Sequence, residues 1–152
     1  MFAMRFTSRL RYIVESHAIE ILKCAGKQLY VHVVITGGQA LLDTINGFRS
    51  LAQSTSERNL IVWVNEYFGR VERDGKKLAD MAAYTENADK VYGSVHVTQR
   101  SHDTFGRDVE DVISRKLTFQ EAIADGPFSL MTKQRLKVVQ RDLFEQLDSI
   151  AF

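Results

Sequence analysis

Two uninterrupted runs rich in β-branched residues, Tyr30-Val31-His32-Val33-Val34-Ile35 and Leu60-Ile61-Val62-Trp63-Val64, stand one helix-length apart. This spacing constrains the fold more than any other feature of the sequence. A strand that is apolar almost throughout is covered on both faces, the usual condition of a strand in a parallel sheet. Between the runs, Gln39 to Gln53 places Leu41, Leu42, Ile45, Phe48 and Leu51 at helical spacing. The turn pair Asp74-Gly75 then leads to Leu78, Met81 and Ala82 in a helical pattern, followed by a third strand, Lys90 to Val97, interrupted at Gly93. Ahead of the first run, Leu10, Ile13, Val14, Ile21 and Leu22 predict an amphipathic helix from about Ser8 to Ala25, stopped by Gly26. The order α-β-α-β-α-β, with crossovers of helical length, predicts βαβ units and right-handed connections. The expected class is α/β, with three predominantly parallel strands at about 30–35, 60–65 and 90–97 and flanking helices.

The remainder reads as helical. Asp108 to Arg115 carries Val109, Val112 and Ile113, and Thr118 with Glu121 has the spacing of a capping box for a short helix ending near Asp125-Gly126-Pro127. A last helix, about Leu130 to Ser149, is expected to bury Leu136, Val139, Leu143, Phe144, Leu147 and Ile150. With no repeat, low-complexity tract or linker, residues 1–152 read as a single domain.

Charge narrows the function. The 20 Lys and Arg nearly balance the 19 Asp and Glu, so the whole-chain charge does not support direct DNA binding or adhesion to an anionic membrane. No apolar run approaches the ~18–20 residues of a membrane helix, and the basic N-terminus lacks the apolar stretch of a secretion signal. The expected location is the cytoplasm. One cysteine, Cys24, excludes an internal disulfide and a thiolate metal cage.

Catalytic signatures are absent from the sequence. Gly26-Lys27 and Gly75-Lys76 are followed by Gln28 and Lys77 rather than Ser or Thr, and neither follows the glycine spacing of a phosphate-binding loop. His17, His32, His96 and His102 are scattered without ligand spacing; His32 and His96 fall in predicted strands as structural residues, and His102 in an exposed loop. No catalytic residue, metal ligand or cofactor is expected for this chain. What remains is the strand ends, because open α/β sheets bind ligands outside the carboxyl ends of their strands. Thr36-Gly37-Gly38, Asn65-Glu66-Tyr67-Phe68-Gly69 and Thr98-Gln99-Arg100 stand there. Asn65 offers a donor and an acceptor to a base edge, or ends its strand by bonding its own backbone. Gly37 and Gly38 make a strand-to-helix turn or admit a ligand closely. Lys133, Arg135 and Lys137 open the last helix against its macrodipole, which suits an anionic partner or a solvated face.

The strings Ile35-Thr36-Gly37-Gly38-Gln39-Ala40-Leu41-Leu42-Asp43-Thr44, Val62-Trp63-Val64-Asn65-Glu66-Tyr67-Phe68-Gly69, Leu117-Thr118-Phe119-Gln120-Glu121-Ala122, Met131-Thr132-Lys133-Gln134-Arg135-Leu136-Lys137-Val138-Val139 and Leu143-Phe144-Glu145-Gln146-Leu147 resemble the TraL family of plasmid conjugal transfer proteins. That family is placed among the ParA/MinD-like deviant-Walker P-loop ATPases, and the resemblance runs from about residue 6 to the C-terminus. It implies a partial P-loop NTPase-like fold and, in full-length relatives, ATP and magnesium held by a glycine-rich loop. It also implies that this chain is the C-terminal part of such a domain and does not hydrolyse ATP alone. Asn65 would stand on the adenine side of the pocket. The strand at 30–35 would be left with a bare apolar edge, open to self-association or to completion by another chain. Two functions follow from the resemblance. One is an accessory role in conjugative transfer. The other is a non-catalytic interaction module that holds a conjugation-apparatus or relaxosome component through its C-terminal helices, with Lys133, Arg135 and Lys137 as contacts.

Overall fold

A computed structural model describes residues 21, 22 and 24–150. The helix predicted from Ser8 to Ala25 lies mostly outside the described residues; Ile21, Leu22 and Cys24 at its end are helical. Gly26 then takes a left-handed φ of 69°, and Lys27 N–H reaches back to the Leu22 carbonyl at 2.9 Å. Such a turn closes a helix on glycine, which has no Cβ to clash.

Three parallel strands form the sheet, in the order β1 (Val31–Thr36), β2 (Leu60–Asn65), β5 (Val91–Val97). The expected strands are each present, offset by no more than one residue at either end. Helix α1 (Leu41–Ser54), entered through a 3₁₀ turn at Gly38–Ala40, crosses from β1 to β2 and packs Leu41, Ile45, Phe48, Leu51 and Ala52 on one face of the sheet. Val33, Ile35, Val62 and Val64 meet them there. On the other face Ile61 and Val95 pack with Trp63, Tyr92, Leu143, Leu147 and Ile150. β2 thus buries both faces, which accounts for its unbroken apolar run; β1, expected to do the same, buries only Val33 and Ile35, while His32 and Val34 on its other face are exposed because it is the edge strand among the described residues.

Two stretches differ from the sequence expectation. Around Asp74-Gly75 the chain makes a small antiparallel hairpin, β3 (Glu72–Arg73) with β4 (Lys76–Lys77), where φ is 51° at Asp74 and 75° at Gly75. Both central residues are left-handed, as a two-residue hairpin turn requires. The helix expected across Leu78, Met81 and Ala82 is instead a 3₁₀ turn, Leu78–Asp80, and the four-residue α2 (Ala82–Thr85), separated by Met81 in an extended conformation. Gly93 does not break β5. It lies just past the register shift between Leu60 and Ile61, and a Cβ on it would come within 2.9 Å of the Ile150 side chain. The glycine makes room for Ile150, two residues past the end of the last helix.

The C-terminal part holds α3 (Arg107–Ser114), α4 (Phe119–Ala124) and α5 (Leu130–Asp148), which share a small core of Val112, Ala122 and Leu136. The Thr118–Glu121 capping box is present in both directions, and those hydrogen bonds hold the Glu121 carboxyl below its ordinary range. Ser129 caps α5 through Thr132 N–H at 3.2 Å. Phe144, expected in the core, is half exposed, and of the apolar positions on α3 only Val112 is buried, with Ile113 outside. The side chain of Gln146 substitutes for a neighbouring strand at the outer edge of β5: its Oε1 accepts from His96 N–H at 2.7 Å and its Nε2 donates to His96 C=O at 3.1 Å. No strand lies beyond β1 among the described residues, although Thr36 N–H is taken by Thr44 Oγ1 at 3.1 Å. Among them, no helix is long and apolar enough to cross a membrane.

Candidate functional site

The three strand ends do not contribute equally. Gly37 and Gly38 press against the segment after β2 so closely that a Cβ on Gly37 would lie 1.9 Å from the Gly69 carbonyl oxygen, and one on Gly38 would lie 2.7 Å from the Phe68 oxygen. These glycines serve the meeting of two backbone segments. They close the β1 side of the sheet end and leave an opening between the segments following β2 and β5.

That opening is a cleft of about 670 Å³. Tyr67 and Phe68 form one wall, Gln99 to His102 the other, and Glu110 of α3 reaches in from the side. The Tyr67 hydroxyl donates to Glu110 Oε1 at 2.9 Å and lies 3.4 Å from the Gly106 carbonyl; His102 Nε2 is 3.5 Å from the same carboxylate oxygen. Burial, and then the Glu110 hydrogen bond, push the Tyr67 pKa up, so the phenol stays a neutral donor. Phe68 meets Tyr67 edge-on at 4.8 Å and is largely exposed, leaving an aromatic face to solvent. The wall after β5 enters α3 through a five-residue π-helical turn, His102–Gly106, a geometry frequent at functional sites. Arg100 pairs with Asp142 of α5 and lies with its guanidinium 5.0 Å over the Phe105 ring.

Asn65 makes the bond that ends its own strand. Its Oδ1 accepts from Tyr67 N–H at 3.0 Å, while Glu66 Oε1 accepts from Val71 N–H at 3.3 Å. Among the described residues its side-chain amide nitrogen makes no hydrogen bond. The carboxamide does not line the open cleft; its neighbours Tyr67 and Phe68 do.

The basic residues of α5 do not act as one group. Arg135 makes a two-pronged ion pair with Asp108 of α3, with Nη2 to Oδ1 at 3.1 Å, and also donates to Thr132 Oγ1 at 3.3 Å. The Asp108 bonds raise the Arg135 pKa further and fix its charge. Lys133 donates to the Ala124 carbonyl at 2.9 Å, and Lys137 is exposed. His32, in β1, accepts from Trp63 Nε1 at 2.9 Å, and His96 is held through its backbone by Gln146, in keeping with structural roles. His102 is exposed, in a turn rather than an irregular loop.

The cleft therefore offers a neutral phenol, an open aromatic face, a carboxylate and a guanidinium. That set can hold a polar ring by stacking and hydrogen bonds. Among the described residues no three His, Cys, Asp or Glu side chains are grouped to hold a metal. Sequence reasoning marked the strand ends but missed Glu110 and Asp142. They lie 43 residues beyond Tyr67 and 42 beyond Arg100, on helices with no spacing signal to link them.

No protein-family profile matches the chain, and no solved structure does. Two curated proteins of Escherichia coli, each called Protein TraL, match it over 150 residues, one at 42% identity and the other at 39%. Each match takes in 98% of this chain and 62% of the relative. Along nearly its whole length, then, the chain is similar to E. coli TraL proteins, and it spans about three fifths of theirs.

Proposed function

We propose that the chain is a TraL-like accessory protein of plasmid conjugative transfer, acting in the cytoplasm. The observation that carries this reading is the 39–42% identity to two TraL proteins, sustained over 98% of the chain. Within it, the described domain is read as the base side of a ParA/MinD-like, P-loop-type nucleotide site. A parallel sheet with a cleft outside its carboxyl ends supports that reading. So does the open face of Phe68 on the cleft wall; Asn65 stands next to that wall and shapes it by holding Tyr67 N–H. The 152 residues contain no phosphate-loop motif, so ATP turnover in such a site would need that loop from outside them.

A second reading, a non-catalytic module that holds a partner from the conjugation machinery, is favoured by the start of α5. Leu130 and Met131 are 83% and 65% exposed there, near Lys133 and Lys137. One assay addresses both. In a conjugative plasmid with its TraL gene deleted, a TraL whose matching 150 residues are replaced by this chain is supplied in trans. Transfer near the parental frequency is expected, and transfer no better than the deletion would refute the accessory role. Adding Lys133→Glu and Lys137→Glu should depress transfer if the second reading holds; unchanged transfer would remove it. Arg135 is left intact because its partner is Asp108.

A further inference from the structure

The Arg100–Asp142 ion pair also lines a second, less open space of about 120 Å³. Its walls are mostly apolar: Val97 of β5, Phe105 of the π-helical turn, Val109 of α3, Phe119 of α4, and Val139 and Leu143 of α5. Protein interiors are close-packed, and voids larger than a water molecule are few. A dry apolar cavity of about 150 Å³ takes up benzene. The space here is therefore on the scale of a single aromatic ring and too small for a whole purine, which separates it from the nucleotide reading above.

Its polar lining comes from Tyr67, His96, Thr98, Arg100, Asp142 and Gln146. Tyr67 and Arg100 line both this cavity and the outer cleft, so they stand at the passage between the two. The Tyr67 hydroxyl is committed to Glu110, and the Gln146 carboxamide to His96 and to the Asp142 carbonyl. Arg100 differs. A guanidinium carries five N–H donors, and the bond to Asp142 leaves others to give. Asp142 already balances the Arg100 charge and Glu110 stands outside, so the passage favours a neutral guest over an anion.

We propose that this cavity is a binding site for a small uncharged aromatic ring bearing a hydrogen-bond acceptor on one edge. The ring lies against Phe105 and Leu143, and the acceptor faces the Arg100 guanidinium. The test is a ¹H–¹⁵N NMR titration of the purified chain with nicotinamide, a ring with a carbonyl acceptor, and with benzene, a ring without one. Saturable shifts are expected at the amides of Val97, Gly106, Val109 and Leu143. Arg100→Gln should weaken nicotinamide by about tenfold or more, the effect of losing a hydrogen bond to a charged group, and leave benzene unchanged. Val139→Phe, which fills the space, should abolish both. If that variant does not fold, the Arg100→Gln comparison decides alone. No saturable shift with either probe in the parent chain would overturn the proposal. So would a nicotinamide affinity indifferent to Arg100→Gln, or one that falls in step with benzene.

Discussion

Gly37→Ala should cost on the order of 3 kcal/mol or more, although it adds a single methyl group. The backbone at Gly37 is ordinary, with φ −70° and ψ 175°, so alanine meets no conformational penalty there. The penalty is steric. The new Cβ would stand 1.9 Å from the Gly69 oxygen and 2.6 Å from the Arg70 oxygen, both main-chain atoms that cannot rotate aside. Either β1 or the 68–70 segment must shift, and the latter carries one wall of the cleft. Thermal melts should show a fall on the order of 10 °C. Gly47→Ala is the matching control: it lies inside α1 with no atom within 4 Å of the added Cβ, and should stabilise by about 0.5–1 kcal/mol. A Gly37→Ala melt within a degree of the parent would mean that the two strand-end segments do not touch.

Asp108→Ala should be nearly as damaging, for an electrostatic reason. The two side chains of the Asp108–Arg135 pair are 11% and 27% exposed, and the pair ties α3 to α5. Removing the carboxylate strands a guanidinium in a place where water reaches it poorly. A fully buried pair broken in this way costs about 3–5 kcal/mol; Arg135 keeps contact with water, so the expected loss is smaller and is read as a lowered urea midpoint. Replacing both partners by apolar residues of similar size, Asp108→Leu with Arg135→Met, should cost less than the single change, because no charge is left unpaired. Urea unfolding of the three proteins gives the comparison. A double variant less stable than Asp108→Ala would show that the salt bridge itself is worth more than the desolvation it requires.

The sheet was legible because its signal is dense. β1 and β2 are short apolar runs between clear breakers, and the apolar residues of α1, Leu42 excepted, fall on one face, so α/β class and strand positions follow from periodicity alone. The hairpin at Asp74-Gly75 was not legible. Its strands are two charged residues each, with no alternation to read, and only the turn pair gave a sign. Phe144 misled because it is apolar and next to Leu143, yet it lies about 80° round the helix from Leu136, at the flank of the stripe through which Leu143 and Leu147 reach the described core. The site was half legible. Strand ends are where α/β sheets take ligands, so Tyr67, Phe68 and Arg100 were in view, while Asn65, singled out there, lies beside the cleft. Glu110 and Asp142 join them only through the packing of α3 and α5, which no local pattern encodes. Of the three basic residues at the start of α5, the sequence could not show that Arg135 faces inward to Asp108.

Triphosphate capture needs a glycine-lined loop with its lysine, and these residues contain neither, whatever ring the cleft holds. Calorimetric titration of magnesium-ATP into the purified 152-residue chain tests this directly. No detectable heat of binding is expected; saturable binding in the micromolar range, with release of phosphate, would contradict it.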